Sequence, residues 1–146
     1  MSSTNTSEIE QLNSLLRGEI SAVETYDQAL AKLADDPTVS VDLRSCRSSH
    51  QARVYSLRSE VRRLGGEPAD GSGVWGAFAK LVEGGARMFG PKAAIAALEQ
   101  GEDKGLNDYV EEQASLAPAV RNFVEREIAS EQKRTHATIA RLKERV

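Results

Sequence analysis

Apolar residues recur every three or four positions through four long stretches of this chain, and that spacing leaves little choice of fold. Leu12, Leu16, Val23, Tyr26, Leu30 and Leu33 form the first stripe, the signature of a helix with one buried face. Leu43, Val54, Leu57, Val61 and Leu64 form a second, Ile95, Leu98, Leu106 and Tyr109 a third, and Val124, Ile128, Ile139 and Leu142 a fourth. Aromatics make up only 5% of the residues, and Ala, Glu, Arg and Leu are common, a mixture that fills helices well and sheets poorly. At 146 residues the chain can bury one core without disulfides or a structural zinc. An all-α fold is expected.

The punctuation sets the boundaries. Ser7 and Glu10 form a capping box, so the first helix is expected over about 8–34, after a Ser/Thr-rich tail at 1–7 expected to be disordered. Asp35, Asp36 and Pro37 stop it, and a second helix over about 38–64 carries Leu43, Arg47, His50, Val54, Leu57, Val61 and Leu64 on its inner face. So short a turn makes the two helices antiparallel neighbours. LGGEPADGSG then breaks the second helix, through glycine's left-handed geometry and proline's missing donor. Residues 65–90 read as a crossover that contains a short amphipathic helix, with Trp75 and Phe78 packed on the bundle flank. Pro91 and Pro118 suit first helical turns, giving helices over about 91–115 and 118–145. Two antiparallel hairpins joined by one long crossover is the ferritin-like version of the four-helix bundle.

Several function classes are disfavoured at once. The nineteen Lys and Arg are scattered among twenty-two Asp and Glu for a net charge of -3, so no basic stripe exists to follow a nucleic acid or a membrane surface. Cys46 is the only cysteine, which excludes an internal disulfide and a thiolate pair for zinc, and it reads as an inert helix-face thiol. No apolar run approaches a membrane span, and the opening MSSTNTSE lacks the parts of an export signal, so a cytoplasmic bacterial protein is expected.

Lone polar residues interrupt or border the stripes at Glu19, His50, Glu102 and Glu131, with His136 beside the last. Glu19 lies fifteen residues before Ala34 and His50 twelve after Thr38, which at about 1.5 Å per residue sets them within roughly 5 Å of one height. Glu102, thirteen before Ser115, and Glu131, thirteen after Pro118, match in the same way. Carboxylates gathered in a dry core repel one another unless protons, cations or a metal compensate. Iron or manganese takes carboxylate oxygen and imidazole, and a di-metal bundle uses one Glu from two helices and E-x-x-H from the other two. Here Arg47 stands three before His50, Arg134 three after Glu131, and Lys133 three before His136. A guanidinium cannot be a ligand, so Arg47 is expected to neutralise Glu19 or Glu102 in a metal's place. His50 reads equally as a satisfied polar core residue, and Glu131 and His136 as solvated flank residues. Tyr26 and Tyr109 are candidates to hydrogen-bond the carboxylates.

LNSLLRGEISAVETY at 12–26 resembles the first helix of bacterioferritins, and His50 through LGGEP resembles their second. That resemblance implies ligand roles for Glu19, His50 and Glu102, with Arg47 where a glutamate is expected. Across almost the whole chain, L-x-x-x-V-x-x-LGGEP, W-G-x-F, ALEQGEDKGLNDY and LAPAVRNFVEREIASEQKRTH are similar to the bacterial ferritin-like family of domain of unknown function 2383. The similarity implies a four-helix bundle without an established activity, and a homodimer through the first two helices by analogy with ferritin relatives. The reading taken is a metal-free structural or interaction protein with a buried Arg–Glu network. Its alternative is an iron- or manganese-binding bundle with oxygen or peroxide chemistry, using Glu19, His50, Glu102, Glu131 and His136. Cofactor and enzymatic status stay open at this stage.

Overall fold

A computed structural model describes residues 3–73 and 90–146. Five α-helices are present among them, α1 (Ser3–Leu33), α2 (Pro37–Arg63), α3 (Pro91–Leu106), α4 (Pro118–Glu127) and α5 (Ala129–Arg145), with no strand. Helix α1 lies along α2, α3 lies along α5, and α2 meets α5, while the seam between α1 and α3 is looser. Helices α4 and α5 together form the fourth rod. The result is an all-α bundle of the ferritin-like kind. The expected short helix with Trp75 and Phe78 lies outside the described residues.

Local chemistry explains the boundaries. Asp36 caps α2, its Oδ1 accepting from the Thr38 amide at 3.0 Å, and Pro37 occupies the first turn, where it has no donor to lose. Gly65, at φ 83°, ends α2 in the left-handed conformation that lets the Gly66 amide reach back to Val61 O at 2.9 Å. Three expected boundaries differ. Helix α1 already runs at Ser3 instead of beginning near 8, because Asn5 Nδ2 donates to Leu64 O at 2.9 Å and ties the first turns to the exit of α2. The third helix changes at Asn107–Glu111 into a π turn, then a short 3-10 turn over Gln113–Ser115, instead of staying regular to 115. The fourth breaks at Ile128, whose φ of -127° is not helical.

The core is divided. Tyr26, Leu33, Leu43, Ile95, Leu98 and Ile139 pack one end. Leu12, Leu16, Leu57, Val61, Phe123 and Ile128 pack the other. Between the two apolar ends sits a layer of buried polar side chains contributed by α1, α2, α3 and α5.

Candidate functional site

Each rod contributes to that layer where its stripe carries a polar residue. Glu19, His50 and Glu102 are 4%, 3% and 3% exposed and do meet at one level, as their heights along the helices predict. His50 lies between the two carboxylates, Nδ1 3.0 Å from Glu19 Oε1 and Nε2 2.7 Å from Glu102 Oε1. A neutral imidazole has one donor nitrogen and one acceptor, so it would set a lone pair against a carboxylate. The imidazolium donates to both. Burial pushes the His50 pKa down, but the Glu19 charge and the hydrogen bonds of both carboxylates outweigh it and raise the pKa above its ordinary value.

The core cation is Arg53, which is 2% exposed. One terminal nitrogen lies 3.4 Å from Glu19 Oε2 and also donates to Gln132 Oε1. The other donates to Ser49 Oγ at 3.0 Å, Thr135 Oγ1 at 2.8 Å and Glu131 O at 3.1 Å. Two carboxylates therefore face two cations, and the formal charges of the layer cancel. Arg53 Nε is the single sealed side-chain nitrogen or oxygen among the described residues that has no partner.

Glu102 is the most fully held group. Oε1 accepts from His50 and from the Tyr26 hydroxyl at 2.6 Å, and Oε2 from Gln132 Nε2 at 2.9 Å and Thr135 Oγ1 at 2.8 Å. Burial drives its carboxyl pKa upward, yet hydrogen bonding and charge from His50, with Tyr26 and Arg53 behind, hold it down at about 2. Tyr26 stacks on His50, ring centroids 5.3 Å apart. Burial and the Glu102 charge raise the Tyr26 pKa well above its usual value, so the phenol stays a donor. Cys46 is buried and free, and burial with the Glu102 charge moves its pKa up to about 12. Such a thiol is inert.

One expectation about cations is corrected. Arg47 does not enter the layer; it pairs with Asp27 on the outside, both side chains well exposed. The inner stripe of α2 runs through Leu43, Cys46, His50, Arg53, Leu57 and Val61, and Arg47, one residue past Cys46, is turned about 100° away. Arg134 also stays outside, holding the half-exposed Glu131 at 2.9 Å. Glu131 reaches only the rim, through Ser49 Oγ at 2.8 Å. His136, next to Thr135 but turned outward, does not enter the layer and meets Asp103 on the surface at 2.6 Å.

Gln132 and Thr135, 1% and 0% exposed, hold the places on α5, on the same buried stripe as Ile128, Ile139 and Leu142. The amide of Gln132 bonds back to Ile128 O at 3.0 Å, so the inward position falls four residues on, at Gln132. Gly105 on α3 permits the approach. A Cβ there would stand 2.8 Å from Gln132 Nε2.

The set does not fit a di-metal centre. Both His50 nitrogens and both Glu102 oxygens are engaged by protein groups, a guanidinium stands beside Glu19, and α5 offers an amide and a hydroxyl in place of a carboxylate and an imidazole. Among the described residues no group of three or more His, Cys, Asp or Glu is arranged to hold a metal ion. None of the described helices is long and apolar enough to cross a membrane. In comparison with known proteins, the family model described as "Domain of unknown function (DUF2383)" matches residues 7–114. No curated protein and no solved structure gives a significant match.

Proposed function

The chain belongs to the DUF2383 family, and we propose that this member is a non-catalytic, self-associating ferritin-like bundle. In this reading the side chains at the metal-site position serve packing instead of oxygen chemistry. The observation that carries it is the closed layer itself, in which Arg53 and protonated His50 balance Glu19 and Glu102 and four protein side chains donate to Glu102. Buried polar groups of this kind penalise other helix registers, since a shifted rod leaves charges unpaired.

Self-association has separate support on the outer face of α2. Val41, Ser45, Ser48, Ala52, Tyr55 and Ser59 follow the three-four spacing of a packing seam, yet all are exposed, Val41 at 66% and Tyr55 at 73%. A second copy lying antiparallel about a two-fold axis at residue 50 sets Tyr55 against Ser45, Val41 against Ser59 and Arg58 against Asp42. Large meets small and opposite charges meet, as a self-complementary interface requires.

Two measurements test the proposal. Protein purified without a histidine tag is expected to carry far less than one iron or manganese per chain and to melt unchanged when either ion is added. Stoichiometric metal with a raised melting temperature would overturn the metal-free reading. Sedimentation is expected to give twice the 15.9 kDa chain mass and Tyr55→Lys to halve it, whereas a monomeric wild type would end the self-association reading.

A further inference from the structure

The loose seam between α1 and α3 encloses a slot of about 350 Å³. Its walls have little side-chain bulk, with Gly18 and Ala22 on α1 and Gly101 and Gly105 on α3. Ser14, Gln100, Lys104 and Glu112 are exposed at the mouth, and the floor reaches the buried Glu19 and Tyr109. A dry void of about 150 Å³ accommodates benzene, so this slot has room for two fused rings.

Two groups on the floor have unused hydrogen-bonding capacity. Tyr109 is 3% exposed, placed by the π turn, and its hydroxyl has no hydrogen-bond partner among the described residues. Because Arg53 Nε is the single sealed and unpartnered polar side-chain atom among them, the Tyr109 oxygen opens onto the slot and not onto packed side chains. Glu19 accepts from His50 and, at 3.4 Å, faces Arg53, which leaves lone pairs free on a carboxylate with about four acceptor sites. Both groups face the slot with bonding capacity to spare, and a ligand hydroxyl, donor and acceptor at once, engages both.

Charge narrows the class. Glu19, Glu102, Asp108 and Glu112 line the slot against His50 and Lys104, so an anion is repelled. The flat, glycine-lined walls suit a ring. We propose that the slot binds a neutral aromatic alcohol of one or two rings, its hydroxyl donating to Glu19 and accepting from Tyr109. This site goes beyond the self-association reading, and its readout does not depend on the mass in solution.

The test is calorimetric titration of the full chain with phenol and 2-naphthol, with toluene and 2-naphthoate as controls. Saturable binding of 2-naphthol is expected, with toluene about tenfold weaker than phenol and 2-naphthoate not bound. Tyr109→Phe should weaken 2-naphthol about five- to tenfold and leave toluene unchanged. Gly18→Leu tests the location, since a Cβ there meets nothing within 4 Å and the helix can keep its fold while the side chain fills the slot. That variant should retain its circular dichroism and lose binding. No saturable binding of either alcohol, equal affinity for phenol and toluene, an unaffected Tyr109→Phe, or full binding by a folded Gly18→Leu would each overturn the proposal.

Discussion

Glu19 and Glu102 are the same chemical group, both buried, and both bonded to His50, yet the two corners they occupy differ. On the α3–α5 side four donors converge on Glu102, and Gly105 lets Gln132 pack closely. On the α1 side Glu19 has His50 and a longer approach by Arg53, beside a slot and a tyrosine whose hydroxyl has no partner among the described residues. The difference arises from helix spacing. A tight seam brings side chains near enough to saturate a carboxylate, and a loose one leaves capacity unused. Stability is therefore expected to concentrate in the first corner and ligand access in the second.

The largest effect should separate the corners directly. Glu102→Ala leaves the His50 cation and three further donors without their acceptor, which for a broken buried pair costs about 3–5 kcal/mol, or a Tm fall on the order of 10 °C. Glu19→Ala removes an acceptor with fewer partners and a neighbouring slot that can admit water, so its cost should be clearly smaller. Thermal melts of the two variants decide the matter; if Glu19→Ala is as damaging as Glu102→Ala, the corners are energetically alike and the comparison fails.

Acidity probes the same layer from both sides. Glu102 titrates at about 2 in the fold against an ordinary value of 4.5, so its contribution is complete above pH 4.5 and is lost as pH falls from there toward 2. A shift of that size corresponds to about 3 kcal/mol. The His50 pKa is raised above 6.5, so its contribution is complete below 6.5 and fades as pH rises through the raised value. Chemical denaturation across pH should therefore give a stability maximum between 4.5 and 6.5. Replacing His50 with Gln should remove the decline on the alkaline side that this residue causes, and an identical profile in that variant would contradict the assignment.

Much of this layer was legible before any coordinates. Glu19, His50 and Glu102 interrupt apolar stripes at matching distances from their turns, and period and rise alone bring them together. Arg53 is within reach of the same reasoning, since an α2 stripe continued from His50 by three residues, toward Val54 and Leu57, arrives at it, whereas a stripe through Arg47 does not. Gln132 is harder to reach that way. From Ile128 the inward position can fall three residues on, at Glu131, or four, at Gln132, and periodicity alone does not choose between them. The π turn at Asn107–Glu111 is equally silent, and it sets where Tyr109 points. Long-range spacing is thus readable from periodicity, whereas a local slip of register is decided by how closely two rods pack.

The smallest effects give the finest comparison, because each corner owns one buried tyrosine. Tyr26 donates to Glu102 at 2.6 Å, a hydrogen bond to a charged acceptor, so Tyr26→Phe should cost about 1.5–3 kcal/mol. Tyr109 is as deeply buried, at 3% against 2%, but its hydroxyl has no hydrogen-bond partner among the described residues, and Tyr109→Phe removes that oxygen while keeping the ring in the apolar cluster with Phe123 and Val124. Its stability should move by no more than about 0.5 kcal/mol in either direction. Equal burial with unequal cost would locate the difference in the partner and not in the depth. If denaturant melts give the two variants the same loss, a hydrogen bond to Tyr109, through water or Glu19 itself, closes the second corner as firmly as the first.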